Sequence, residues 1–127
     1  MNDDTKQNLE EALRVITSMI HRSQKAQEKF SQATPQYTLQ KNRIRALDTA
    51  SALIKKELSE NDITEYTKED LEAAVKPIAS LIDKSEKARN KVKQGTWQHT
   101  MLGNHLKALY IVSPLLTKVL HEMTRES

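Results

Sequence analysis

Two stretches of this chain repeat each other without a gap. Sliding the sequence by 62 positions aligns Thr5–Leu58 with Thr67–Leu120, and 23 of the 54 pairs are identical. A repeat of this length is one supersecondary unit used twice, and its period restricts the fold more than any other feature of the chain. In copy one, Leu9, Leu13, Ile16, Ile20, Ser23, Gln27 and Phe30 follow steps of four and three. Copy two answers with Leu71, Val75, Ile78, Ile82, Ser85, Arg89 and Val92. The second half of each copy gives Tyr37, Gln40, Ile44, Leu47, Ser51, Ile54 and Leu58, matched by His99, Leu102, Leu106, Leu109, Ser113, Leu116 and Leu120. Such steps lay an apolar stripe along one side of a helix. Ala12, Met19, Ala26, Ala46 and Ala50 widen it.

Each copy is therefore a helical hairpin. The pattern predicts four helices, near residues 5–32, 35–59, 67–94 and 97–124. Thr5 and Thr67 are expected to cap the first helix of each copy, Thr34 the second with Pro35 in its first turn, and Thr96 the fourth, with Gly95 ending the third. Ser59–Tyr66 reads as the polar connection between the hairpins. Short connections make neighbours antiparallel. The expected architecture is all-α, an antiparallel up-down-up-down four-helix bundle in a single domain over 1–127. Pro77 and Pro114 fall inside helices three and four, remove a backbone bond each, and are expected to kink them.

With 127 residues the chain can bury one core without staples. It has no cysteine, so no disulfide frame, thiolate metal site or thiol nucleophile is available. The start, MNDDTKQNLEE, has no apolar stretch of signal-peptide type. The most apolar run, Leu106–Leu120, is interrupted by Lys107, Ser113, Pro114 and Lys118, so no membrane partner is expected. These readings favour a cytoplasmic protein.

About the turns, the stripe becomes polar. One layer holds Phe30, Tyr37, Val92 and His99, and the next Gln27, Gln40, Arg89 and Leu102. Arg89 on a core stripe must be paired, solvated or bound to an anion, because an unpaired buried guanidinium is costly. One reading is that it snorkels to water; another is a polar pocket at the turn end; a third is a pair with Glu28. Charge follows the same axis. Residues 21–45 and 83–107 carry +5 and +4, while the rest of the chain sums to −6. Basic residues near a helix C-terminus suit the macrodipole, but Lys41, Arg43 and Arg45 lie in the first half of helix two, where that explanation fails. The expected ligand site is lined by Gln27, Tyr37, Gln40, Arg89 and His99, with Lys29, Lys41 and Arg43 around its mouth, and its ligand is a small anion. The repeated amides Gln36, Asn42, Gln98 and Asn104 lie off the stripe and are further candidates.

Catalytic and metal motifs are missing from the sequence. His99 and His105 are six apart and face different directions. No HExxH pattern or glycine-rich phosphate loop occurs. No metal and no cofactor is expected. Where copy one has Asp48, Thr49 and Glu57, copy two has Tyr110, Ile111 and Val119. These form a second apolar face on helix four, expected as a homodimer or protein-partner interface unless Pro114 turns them into the core.

The segment HTMLG, residues 99–103, resembles the phosphorylated segment of histidine phosphotransfer domains, which are also four-helix bundles. In that family a lysine stands three positions after the histidine and a glycine follows; here Leu102 and Gly103 hold those positions. The resemblance implies phosphotransfer through His99. Bacteriocin immunity proteins are similar in size and architecture alone. The expected function is non-catalytic: a small binding or interaction protein with a basic, anion-favouring pole at the two hairpin turns. The alternative is an interaction module of immunity or antitoxin type, acting through helix four and the basic pole. Nucleic-acid binding, with Trp97 or Tyr37 stacking on bases, is a lesser alternative at a net charge of only +3.

Overall fold

A computed structural model describes residues 2–59 and 65–126. It contains α1 (Asp3–Glu28), α2 (Pro35–Leu58), α3 (Lys68–Lys91) and α4 (Trp97–Glu126), and no strand among the described residues. Part of the expected connection Ser59–Tyr66, residues 60–64, lies outside them.

The helix starts follow from single side chains. Thr34 accepts from the Tyr37 N–H, and Pro35, which has no N–H to satisfy, opens α2. Thr96 does the same for the His99 N–H at the start of α4. Thr67 and Asp70 form a reciprocal capping box on α3. The expectation for Thr5 is corrected: Asn2 caps α1, its Oδ1 accepting from the Thr5 N–H at 2.8 Å, so the helix begins two residues earlier. α1 and α3 also stop sooner than their periodicity suggested, at Glu28 and Lys91. In each turn a threonine hydroxyl donates back to a carbonyl three residues earlier, Thr34 to Ser31 and Thr96 to Lys93. That bond needs a bend where the periodic pattern would have continued the helix. Gly95 supplies the left-handed φ of 87° in the second turn. Both Pro77 and Pro114 sit within continuous helices.

α1 packs on α2 and α4, and α3 on α4 and α2. Direction is set by side-chain pairs. Glu11 approaches Lys107, whereas Arg22 reaches Met101 and His105, so α1 and α4 run oppositely. α2 also touches α4, but α1 and α3 do not meet. The bundle is thus a rhombus in cross-section, and the repeat-related pair α2 and α4 forms its short diagonal.

Its core obeys the repeat. Leu9 and Leu71, Ala12 and Ala74, Ile16 and Ile78, Ala46 and Ala108, Leu47 and Leu109, Ala50 and Val112, and Ile54 and Leu116 are all buried. Equivalent faces of the two hairpins therefore meet about a pseudo-twofold axis. From Ala46 to Ile54 only Asp48 is exposed, and α2 touches three neighbours, as α4 does. Its small residues Ala46, Thr49, Ala50, Ser51 and Ala52 allow that close approach.

Nearer the turns the core stops. Gln27, Tyr37, Gln40, Val92, His99 and Leu102 are half-buried, and Phe30 and Arg89 are exposed. A stripe carrying Gln27, Gln40 and Arg89 cannot exclude water, so no closed layer forms there.

Candidate functional site

Arg89, the oddest residue on the stripe, does not enter the core. Its guanidinium lies against α4 over Gly103, 3.5–3.6 Å from where a Cβ would stand. A glycine inside a helix leaves a shallow place for a flat cation, and the charge stays in water. Of the three readings of Arg89, the structure fits snorkelling. Three concavities lie elsewhere on the bundle, and none of them is lined by Gln27, Lys29, Tyr37, Gln40, Arg89 or His99.

Those concavities lie along the seams between the hairpins. The first, of about 240 Å³, runs between α1 and α4 and includes Asn8, Glu11, Arg14, Asn104, Lys107 and Ile111. Glu11 and Lys107 stand 3.9 Å apart across it. The second, about 840 Å³, lies between α2 and the start of α3. Its bases Lys41, Arg45 and Lys55 are matched by Asp48, Glu65 and Asp70, and Arg45 pairs with Asp70 at 3.0 Å. Burial pushes the Asp48 carboxyl up, and Lys55 opposes the shift. The Thr67 N–H and Arg45 hold Asp70 below the usual carboxylate range. This groove balances its own charge.

The third is different. It occupies about 400 Å³ between α2 and α3, lined by Leu39, Asn42, Arg43, Ala73, Lys76, Pro77 and Ser80. Two cations face it, and no carboxylate does. Arg43 is half-buried, its Nε is fully shielded, and that Nε has no hydrogen-bond partner. Burial pulls the guanidinium below its ordinary value, yet arginine stays protonated throughout the physiological range. A shielded donor on a permanent cation is an unfulfilled requirement for an acceptor. Pro77 adds to the asymmetry. It has no N–H for the Ala73 carbonyl one turn back, and its ring supplies an apolar wall.

The repeat supplies an internal control. Asn42 and Asn104 are equivalents, and each lines a groove between hairpins. One residue further along, Arg43 corresponds to His105. In the α1–α4 seam Arg22 donates to the Met101 sulfur at 2.9 Å and to His105 Nε2 at 3.4 Å. That seam satisfies itself with side chains. In the α2–α3 seam Arg43 Nε is left over.

Of the sequence candidates, then, Lys41 lines the second groove, Arg43 the third and Asn42 both, and Asn104 lies in the opposite seam. Gln36 and Gln98 are exposed in the first turns of α2 and α4. Ile111 and Val119 pack against the core, which matches the alternative in which the second face of helix four turns inward. Tyr110 remains half exposed and donates to Glu86 at 2.7 Å, which raises its hydroxyl pKa. Lys76, Pro77 and Ser80 escaped the sequence reading as site residues. A proline inside a helix, facing a base that no helix dipole explains, was the available signal. Among the described residues, no three metal-ligating side chains gather, and no helix is long and apolar enough to cross a membrane.

No family model, no curated protein and no solved structure matches this chain.

Proposed function

We propose that the protein is a non-catalytic binder of a small anion carrying a short apolar body, held in the α2–α3 groove with Arg43 as its anchor. The carrying observation is a groove lined by two cations, Arg43 and Lys76, and by no carboxylate. A carboxylate or phosphate there would accept from Arg43 and gain from Lys76, both charge-assisted. Asn42 and Ser80 offer further polar contacts, and Leu39, Ala73 and Pro77 an apolar surface. The groove's size falls in the range of small-molecule sites, about 300–1,000 Å³. A chain without cysteine suits a reducing cytoplasm, and that location goes with this reading.

The test is ligand-dependent thermal protection with organic carboxylates and phosphate monoesters. Arg43→Leu is expected to weaken binding about 10- to 100-fold, the worth of a charge-assisted bond. Arg43→Lys should retain part of it. Because the native Nε is unpaired, Arg43→Leu should fold at least as stably as the parent. Undiminished protection in Arg43→Leu would overturn the assignment.

A further inference from the structure

The bond from Arg22 to Met101 fixes more than helix direction. Arg22 lies near the end of α1 and Met101 near the start of α4, so both hairpin turns emerge at one pole. Each turn presents one large apolar residue to solvent: Phe30 is 37 % exposed and Trp97 68 %. Neither belongs to the core. Trp97 is not needed to start α4, because Thr96 provides the cap. The repeat does not require either ring, since their equivalents are Val92 and Pro35.

Around them stands a dense positive field. Residues 25–41 and 87–103 hold seven bases against one acid, Glu28, so these two segments carry +6 and the remainder −3. All seven bases are exposed. Among the described residues only Lys87 of these has an acidic partner, Asp83, and that pair is itself open to water. At the opposite pole lie Asp3 and Asp4 of α1, Glu57 of α2 and Glu69 of α3. The molecule is a rod with a basic, aromatic-tipped end and an acidic end.

We propose that this pole docks on an anionic lipid bilayer, with the Phe30 and Trp97 rings seated at the headgroup level and the surrounding lysines on the lipid charges. Aromatic rings prefer that depth, basic clusters are drawn to anionic leaflets, and lysine can keep its ammonium at the interface while its stem lies along apolar material. The two attractions together give stable peripheral binding where either alone is marginal. The acidic far pole is repelled by the same surface and so fixes the orientation. Single-stranded nucleic acid fits less well. Stacking needs aromatics set along a cationic channel, whereas these rings cap two convex turns.

Trp97 is the one tryptophan of the chain, and so reports its own environment. The full chain is mixed with phosphatidylcholine vesicles, with vesicles containing about 30 % phosphatidylserine, and with a single-stranded oligonucleotide. Co-sedimentation with the anionic vesicles alone, a blue shift of Trp97 emission and loss of both at high salt are expected. Phe30→Ala and the double variant Lys91→Glu, Lys93→Glu should each weaken partitioning about tenfold or more while leaving the circular dichroism unchanged. Sedimentation without a blue shift would overturn ring insertion. Equal binding to both vesicle types would overturn the electrostatic part. A Trp97 response to the oligonucleotide and none to vesicles would assign the pole to nucleic acid instead.

Discussion

Arg89 and Gly103 are best understood as a pair. An arginine on an apolar stripe is visible in the sequence; the place made for it on the facing helix is not, since 14 residues separate the two. Gly103 lies inside α4, where glycine costs about 0.5–1 kcal/mol relative to alanine. A Cβ there would sit 3.5–3.6 Å from the Arg89 guanidinium, an ordinary contact with a flexible side chain. Gly103→Ala should therefore raise the melting temperature by about 2–5 °C. Calorimetry checks this, and a lowered value would mean that Arg89 needs the open backbone. The same holds for Arg43. Its neighbours across the groove come from α3, 30 or more residues away, and only packing reveals that no acid is among them.

Among the elements, the two seams carry the chemistry. The turn end of the α1–α4 seam is bridged by Arg22, Met101 and His105. Burial first, and the Arg22 charge second, hold His105 below its ordinary value of 6.5. The unfolded chain therefore takes up this proton before the folded one does. Stability from His105 is complete above pH 6.5 and is lost as pH falls through the lowered folded value. The urea midpoint should drop between about pH 7.5 and about pH 5.5, and His105→Leu should flatten that drop. An unchanged slope in the variant would show that another group titrates in this window. Helix existence and most helix starts were legible, because capping depends on residues within one turn. Helix ends were less so. α1 and α3 keep their apolar spacing past Glu28 and Lys91, but the turn bonds of Thr34 and Thr96 stop them.

For the whole molecule, the pseudo-twofold makes a quantitative prediction. Leu47 and Leu109 are equivalent and both 0 % exposed. Each truncation to alanine should cost about 2–5 kcal/mol, with the two values close to one another. Denaturant titration measures both, and a large disparity would indicate that the two hairpins do not share the core equally. α2, which packs on three neighbours, and the rhombic section explain where side chains are excluded from water. They also explain why the turn pole, beyond the last core residues, is left open.

Four helices, their pairing into two hairpins and the residues that repeat in the core were set by the sequence itself, because period, capping and duplication are local or self-referential patterns. Tertiary structure decided which charge goes unanswered. The repeat puts Arg43 and His105 at equivalent positions in two equivalent seams, yet the second finds Arg22 and the first has Nε without an acceptor. That difference depends on which side chains from a distant helix come within hydrogen-bond range, and distance across a bundle is not written in the spacing along any one helix.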